Sequence, residues 1–435
     1  MPDIPPEVIG LVVDQVDTKS LKACSLAAVA FRHPAQKRLH ENLSISPERY
    51  HLGTRAIVDA DKHFVQHPHL ARYVTMFELI VVPGPHNDVD IVALEAILHR
   101  ITAATHLALS FSAYFDDSPD TSASDWNTIP RKLTDCFLHW MVSRRPFTRR
   151  LDLASVWQLS VDVFVPVLSA APKVDIREVT LSGDSSSDPA VGQQISLRDL
   201  SVKTSPSVAK LLLRPEFTPY IESLRTFTFR FTDSSTEMID LFSHVARYIE
   251  CVKLLALTEA RPFPSTANGH WEEILEQEAL AVPKTLPLIR AASVQLRGPD
   301  LFVGRSENFT GGGGEQVRRL CDALIARLLA HLLTPSVSPQ LRTLEFELSL
   351  TIDSGDDLPE LRPTILAALD DLIASHPNIR DVCWATDVFF YPSWRPGPGP
   401  AALLDQLQRA ATRALPKAVE KGAQIRVRRI DITSW

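Results

Sequence analysis

The chain has 435 residues, 45% of them hydrophobic, and its 45 lysines and arginines against 52 aspartates and glutamates leave a formal charge of −7. That length and composition suit a soluble globular protein with a large core, and the acidic balance argues against a nucleic-acid binder working through overall charge. Charges or prolines interrupt each apolar run before it reaches the length of a membrane span, and the first residues lack the basic start and apolar stretch of a secretory signal.

The five cysteines, Cys24, Cys136, Cys251, Cys321 and Cys383, stand far apart with no C-x-x-C pair. Neither a disulfide framework nor a zinc site is expected, and the compartment reads as reducing: cytoplasm, nucleus or both.

The predicted elements begin at Ile4-Pro5-Pro6-Glu7-Val8-Ile9. Proline is well placed in a first helical turn, and Glu7 lies near the positive end of the helix dipole. Val8, Ile9, Val12, Val13 and Val16 follow at helical spacing and make an apolar face that Leu11 widens. Asp17, Thr18 and Ser20 supply a capping turn. A second helix carries Leu21, Cys24 and Leu26; His33-Pro34 is expected to break it and start a third with Leu39 and Leu43 inward. Three helices in about 40 residues bury too little surface to stand alone, so the unit must lean on a neighbour or a partner. A cap for the domain behind it accounts for this as well as a docking piece does.

These residues resemble the F-box family. Ile4-Pro5-Pro6-Glu7-Val8-Ile9, then Val12, Val16, Leu21, Cys24, Ser25, Leu26 and Phe31, fit its pattern without a gap. The resemblance implies a helical bundle over residues 1–45 that binds a Skp-family adaptor, and through it a cullin and its RING subunit. It also implies that Ile4, Pro5, Pro6, Val8, Ile9, Val12, Leu21, Leu26 and Phe31 face the adaptor or support the face that does. Ile4 stands where Leu is usual, Ala27 where Val is common and Phe31 where Trp is common. The last two remove apolar volume and would weaken the contact.

Beyond the bundle, Asn42 to Ser46 reads as a short strand, Gly53 to Gln66 as a helix and Phe77 to Val82 as a further strand. A phrase of the form Pro-x-Ile/Leu-Arg then recurs at Pro287–Arg290, Pro339–Arg342 and Pro377–Arg380. Each leads into an alternating segment, Ala292 to Leu296, Leu344 to Leu350 and Val382 to Trp384. Looser versions occupy Pro172 to Leu181 and Pro219 to Phe231. Helical patterns precede most of them, at Val161 to Ala170, Val317 to Leu333 and Ile365 to Ser375. Helix, proline turn and strand at irregular intervals predict a degenerate α/β solenoid with a mostly parallel sheet over residues 46–435. This resembles the irregular leucine-rich-repeat domains behind the F-box in fungal members. The alternation of Ile425 to Ile432 suits an edge strand.

Candidate chemistry is thin. His63, His67 and His69 lack the Glu of a zinc-helix motif and read as a solvated helix end, with no metal. Gly311 to Gly314 is followed by Glu315 rather than Lys, which rules against a phosphate loop. The pairs Asp116-Asp117, Asp356-Asp357 and Asp370-Asp371 are sequence neighbours that point apart and read as solvated faces. Arg144-Arg145 and Arg149-Arg150, bracketing Phe147, read as a cation-rich helix end or as a phosphate or acidic-motif site. Trp126, Trp157, Trp394 and Trp435 are candidate anchors, with Trp394 the choice for target binding. No catalytic residue, cofactor, nucleic-acid partner or membrane contact is expected. The reading is a non-catalytic substrate receptor of an SCF-type ubiquitin ligase; a free-standing interaction scaffold is the alternative.

Overall fold

The computed structural model describes residues 4–14, 16, 18–47, 54–81, 88–111, 131–183, 195–230, 235–255, 283–297, 327–353, 363–391 and 400–429. The chain divides into two units, residues 1–200 and 201–435.

The first unit opens with α1 (Pro6–Asp14), α2 (Thr18–Ala27) and α3 (Val29–His40). The Pro5 carbonyl accepts from the N–H groups of Val8 and Ile9, at 3.0 and 3.2 Å, so the Pro-Pro pair does start the helix. The break between α2 and α3 falls at Ala28, whose backbone is extended at φ −153° and ψ 151°, and Pro34 lies inside α3. It therefore precedes the expected His33-Pro34 break by several residues. Proline removes a single N–H donor, and a helix packed on its neighbours survives that loss.

α3 runs into β1 (Asn42–Ser46), followed by β2 (Arg55–Ala56), α4 (Ile57–Gln66), a 3-10 turn (Pro68–Tyr73) and β3 (Met76–Val81). Arg55 and Ala56 thus belong to a strand rather than to the predicted helix. The unit continues through α5 (Asp88–Arg100), β4 (His106–Phe111), α6 (Arg131–Ser143), β5 (Arg150–Ala154), β6 (Leu159–Ser160), α7 (Val161–Leu168), β7 (Lys173–Arg177) and β8 (Leu181–Ser182). Its strands lie in the order β2-β1-β3-β4-β5-β7, all paired in parallel. Parallel neighbours need a crossover, which the intervening helices supply. One strand face is apolar and buried: Leu43, Ile45, Phe77, Leu79, Leu107, Leu109, Leu151, Leu153, Val174 and Ile176.

β9 (Asp199–Lys203) spans the point of division. The second unit adds α8 (Pro206–Leu212), α9 (Thr218–Glu222), β10 (Thr226–Arg230), α10 (Thr236–Val245), β11 (Cys251–Leu255), β12 (Ala291–Arg297) and β13 (Thr343–Asp353). α11 (Pro363–Ser375), β14 (Asp381–Tyr391), α12 (Pro400–Ala414), α13 (Pro416–Glu420) and β15 (Gln424–Arg429) follow. Strands β10 to β15 are neighbours in chain order and parallel throughout. The α/β solenoid with a parallel sheet is present in both units, and β15 is the edge strand its alternation foretold.

The recurring proline phrase has a single structural meaning. Ile289, Leu341 and Ile379 are buried, and the arginine after each sets the ladder. The Arg342 N–H donates to the Arg290 carbonyl (2.9 Å), that of Arg380 to Arg342 (2.9 Å) and that of Gln424 to Arg380 (2.7 Å). In the first unit Thr75, Thr105 and Arg149 do the same without the phrase. The segment expected at Val382 to Trp384 extends to Tyr391, and Val317 to Leu333 lies mostly outside the described residues.

Of the Asp370-Asp371 pair, Asp371 is exposed as expected and Asp370 is not. Asp370 is buried, and its carboxylate accepts from the backbone N–H groups of Lys417 (3.0 Å) and Ala418 (2.8 Å), capping α13 from α11. Asp371 pairs with the Lys417 ammonium. Replacing Asp370 with Ala leaves two donors at a buried helix start and should cost about 2–3 kcal/mol. Denaturant unfolding measures it, and hydrogen exchange should rise across residues 416–429.

Candidate docking surface

Ile9, Val13, Leu21 and Ala35 form the buried core of the three-helix unit, with Val16, Cys24, Phe31 and Leu39 packed against it. Ile9 and Val13 are one helical turn apart and point inward together. The rest of α1 is no less apolar, since its sequence is Pro-Glu-Val-Ile-Gly-Leu-Val-Val-Asp. Its two charges, Glu7 and Asp14, lie on one side seven residues apart, yet apolar side chains beside them also meet solvent. Val8, Leu11 and Val12 are exposed, Leu11 at 67%, as is Ile4 just ahead of the helix. A second open stretch lies at the Ala28 corner, where Leu26 is 84% and Val29 79% exposed and the alanines at 27, 28 and 30 are open too.

The sequence-predicted adaptor residues therefore divide into two sets. Ile4, Pro5, Pro6, Val8, Val12 and Leu26 face solvent. Ile9 and Leu21 are buried within the bundle, and Phe31 is half-buried against its core, so these three hold the shape rather than present a surface. Periodicity could not separate the sets because apolar residues fill most of α1, and Glu7 and Asp14 mark only a narrow part of its outside. Leu11 and Val29 join the exposed set on the structure's account alone.

The bundle is tied down as a body. Arg38 donates to the Val13 carbonyl at the end of α1 (2.6 Å), and its contact with exposed Asp14, at 3.9 Å, adds little. His33 and the Tyr73 hydroxyl share a hydrogen bond of 2.7 Å, and the Glu41 carbonyl accepts from Thr75 and Met76.

Both units also carry a polar strand face that the sequence left unassigned. Ser44, Glu78, Ala108, Asp152 and Asp175 share one row across β1, β3, β4, β5 and β7. Glu78 accepts from Ser44 (2.9 Å) and Ser110 (3.1 Å). Asp152 meets His106 and Arg150, each at 2.8 Å. Burial alone would raise the Asp152 carboxyl, but hydrogen bonds from His106 and Arg150 outweigh it and hold the group below its ordinary value. In the second unit Ser293 donates to Glu347 (2.9 Å) and Arg428 to Glu345 (2.9 Å). Glu78 and Glu347 are held by donors on neighbouring strands, Asp152 by one on its own strand and one on the next, and Glu345 by a donor two strands away.

The remaining candidates resolve as follows. Arg144 donates to the Thr102 carbonyl and covers the Phe147 ring at 4.7 Å, Arg145 reaches the Pro166 carbonyl (3.3 Å), and Arg150 pairs with Asp152. The arginine group is therefore structural at these positions. Trp157 is partly exposed, while Trp126, Trp394 and Trp435 lie outside the described residues, as do Cys321, Gly311 to Gly314, Asp116-Asp117 and Asp356-Asp357. Among the described residues no group of three His, Cys, Asp or Glu is placed to hold a metal, and no helix is long and apolar enough to cross a membrane. His63 is not solvated as expected: its Nε2 is buried.

No protein-family model matches the chain, and no curated protein matches it. Among solved structures it is similar to a chain of the Rad7 and Elc1 complex in yeast, at 12% identity and a TM-score of 0.33, over 91% of this chain and 92% of that one. A likeness that loose carries no argument, and the functional reading rests on the residues above.

Because Leu26 is open and Leu21 is closed, the same change should behave in opposite ways. Leu26→Asp should shift the thermal midpoint little, within about 0.5 kcal/mol of stability. Leu21→Asp should cost about 3 kcal/mol or more by burying an unpaired charge. Thermal melts with hydrogen exchange over residues 6–40 distinguish them.

Proposed function

We propose that this protein is the substrate-recognition subunit of an SCF-type cullin-RING ubiquitin ligase, docking a Skp-family adaptor through its N-terminal helices. The observation that carries the reading is the open apolar surface of Ile4, Val8, Leu11, Val12, Leu26 and Val29 on a bundle that already has its own core. Exposed side chains of this size on so small a unit mark an interaction site, because leaving them in water forgoes the free energy of burial. Four of the six, Ile4, Val8, Val12 and Leu26, coincide with the gapless F-box-like pattern. The polar strand faces would hold the target, with no bond chemistry in this chain. Bringing target and charged conjugating enzyme together raises their effective concentration, and that is the contribution of such a receptor.

The competing reading is a free-standing scaffold in which the helices cap the solenoid. The His33–Tyr73 bond and the Glu41 ladder favour it, since they fasten α3 to the first strands. Co-expression with a Skp-family adaptor separates the two. Docking predicts a stable complex with the wild-type chain, lost in a folded Val8→Asp, Leu26→Asp double variant. An adaptor that binds neither, or both equally, overturns the docking reading. Removal of residues up to 31 should leave the strands folded by far-UV circular dichroism if the helices dock, and unfold them if they cap.

A further inference from the structure

The histidines come together with a cation of a different kind. His40 closes α3, His63 lies in the last turn of α4, His67 caps that helix and His69 sits in the 3-10 turn. Their rings form a chain, with centroids 5.6 Å apart from His40 to His63, 5.2 Å from His63 to His67 and 6.3 Å from His67 to His69. Arg55 of β2 acts on both His40 and His63. Its guanidinium is half-buried, burial is what perturbs it, and no carboxylate among the described residues answers its charge. The buried Nε2 of His63 has no hydrogen-bond partner. The charged groups acting on His40 are Arg55, His63, His69 and His67, contributed by β2, α4 and the 3-10 turn, and every one is basic.

Four imidazoles invite a metal ion, but a guanidinium among them repels a cation, and the described residues offer no set of ligands placed to hold one. The opposite charge fits. A half-buried arginine left without a counter-charge is costly unless a ligand supplies it. We propose that Arg55, His40, His63 and His67 form a binding site for a doubly charged oxyanion of the phosphate-ester class, at the join between the helical bundle and the first strands. Arg55 would meet two oxygens with its planar fork, and the imidazole N–H groups would supply the remaining donors. This site is independent of the adaptor-docking reading.

Without an anion the charged forms of His40 and His63 are disfavoured. Burial first, then Arg55 and the other imidazoles, hold His40 down from 6.5 to about 4, and burial with Arg55 and His67 lowers His63. An anion reverses the sign of the local field, so His40 and His63 take up protons as it binds. Affinity must therefore rise as pH falls. In the absence of ligand the same depression makes the folded state bind fewer protons than the unfolded one, so stability declines as pH drops from 6.5 toward 4.

Sulfate is the first probe, because it keeps both charges across this range and any pH dependence belongs to the protein. Titrated into the full chain by calorimetry, it should bind saturably and about ten-fold more tightly near pH 6 than near pH 8. Arg55→Gln should weaken it about ten-fold or more. His67→Asn, an exposed position that does not threaten folding, should weaken it several-fold. Arg72→Gln, whose arginine is engaged with Tyr73, should change nothing. Free phosphoserine and a phosphoserine peptide, compared in the same way, tell a small-molecule ester from a protein-borne one. Absence of saturable sulfate binding near pH 6 overturns the proposal. So does equal affinity in wild type, folded Arg55→Gln and His67→Asn.

Discussion

Parallel pairing is the constraint on which everything else in this protein depends. Neighbouring parallel strands cannot be joined by a tight turn, so the chain must cross over between them. Here it repeatedly does so with a helix and a return turn. Each return places a buried aliphatic residue, such as Ile289, Leu341 or Ile379, immediately ahead of a residue that enters the next strand. The N–H of that next residue donates to the carbonyl of its predecessor, as from Arg342 to Arg290 and from Arg380 to Arg342. The ladder is thus both the backbone's hydrogen-bond partner and the device that sets register.

That arrangement separates two kinds of surface. The apolar strand face is consumed by the crossover helices: Phe77 meets Phe137 and Trp140 of α6, Phe229 stacks on Phe242 of α10, and Phe346 meets Trp384 on the adjoining strand. The opposite face is left polar and is tied across strands by pairs such as His106–Asp152 and Arg428–Glu345. Such pairs on partly open surface add little stability. The N-terminal helices stand outside this scheme. They contribute no strand, they hold a small core of their own, and they leave large side chains uncovered.

The place where bundle and ladder meet holds a half-buried cation with no carboxylate answering it among the described residues. β2 is two residues long, and Arg55 on it lies among imidazoles drawn from α3, α4 and the 3-10 turn. Structural cations elsewhere find partners: Arg100 meets Asp61, Arg38 a carbonyl, Arg150 two carboxylates. Arg55 meets none among the described residues, and that contrast is why the join reads as a place for a ligand.

The residues by themselves determined the alternation of helix and strand, the parallel pairing and the edge at β15, because proline turns and period-two segments are local signals. They also marked the N-terminal helices as greasier than their size allows. Which of those side chains stay open was decided only in three dimensions. Ile9 and Val8 are adjacent and both apolar, yet the packing of α1 on α3 hides one and leaves the other, a choice that the apolar run from Val8 to Val13 does not make by itself. The same holds for Asp370, buried because a distant helix start needed its oxygens, and for His40, twenty-three residues from His63 in sequence but stacked on it in the fold. Contacts between residues far apart in the chain are set by how the elements pack, and a short stretch of sequence carries no record of them.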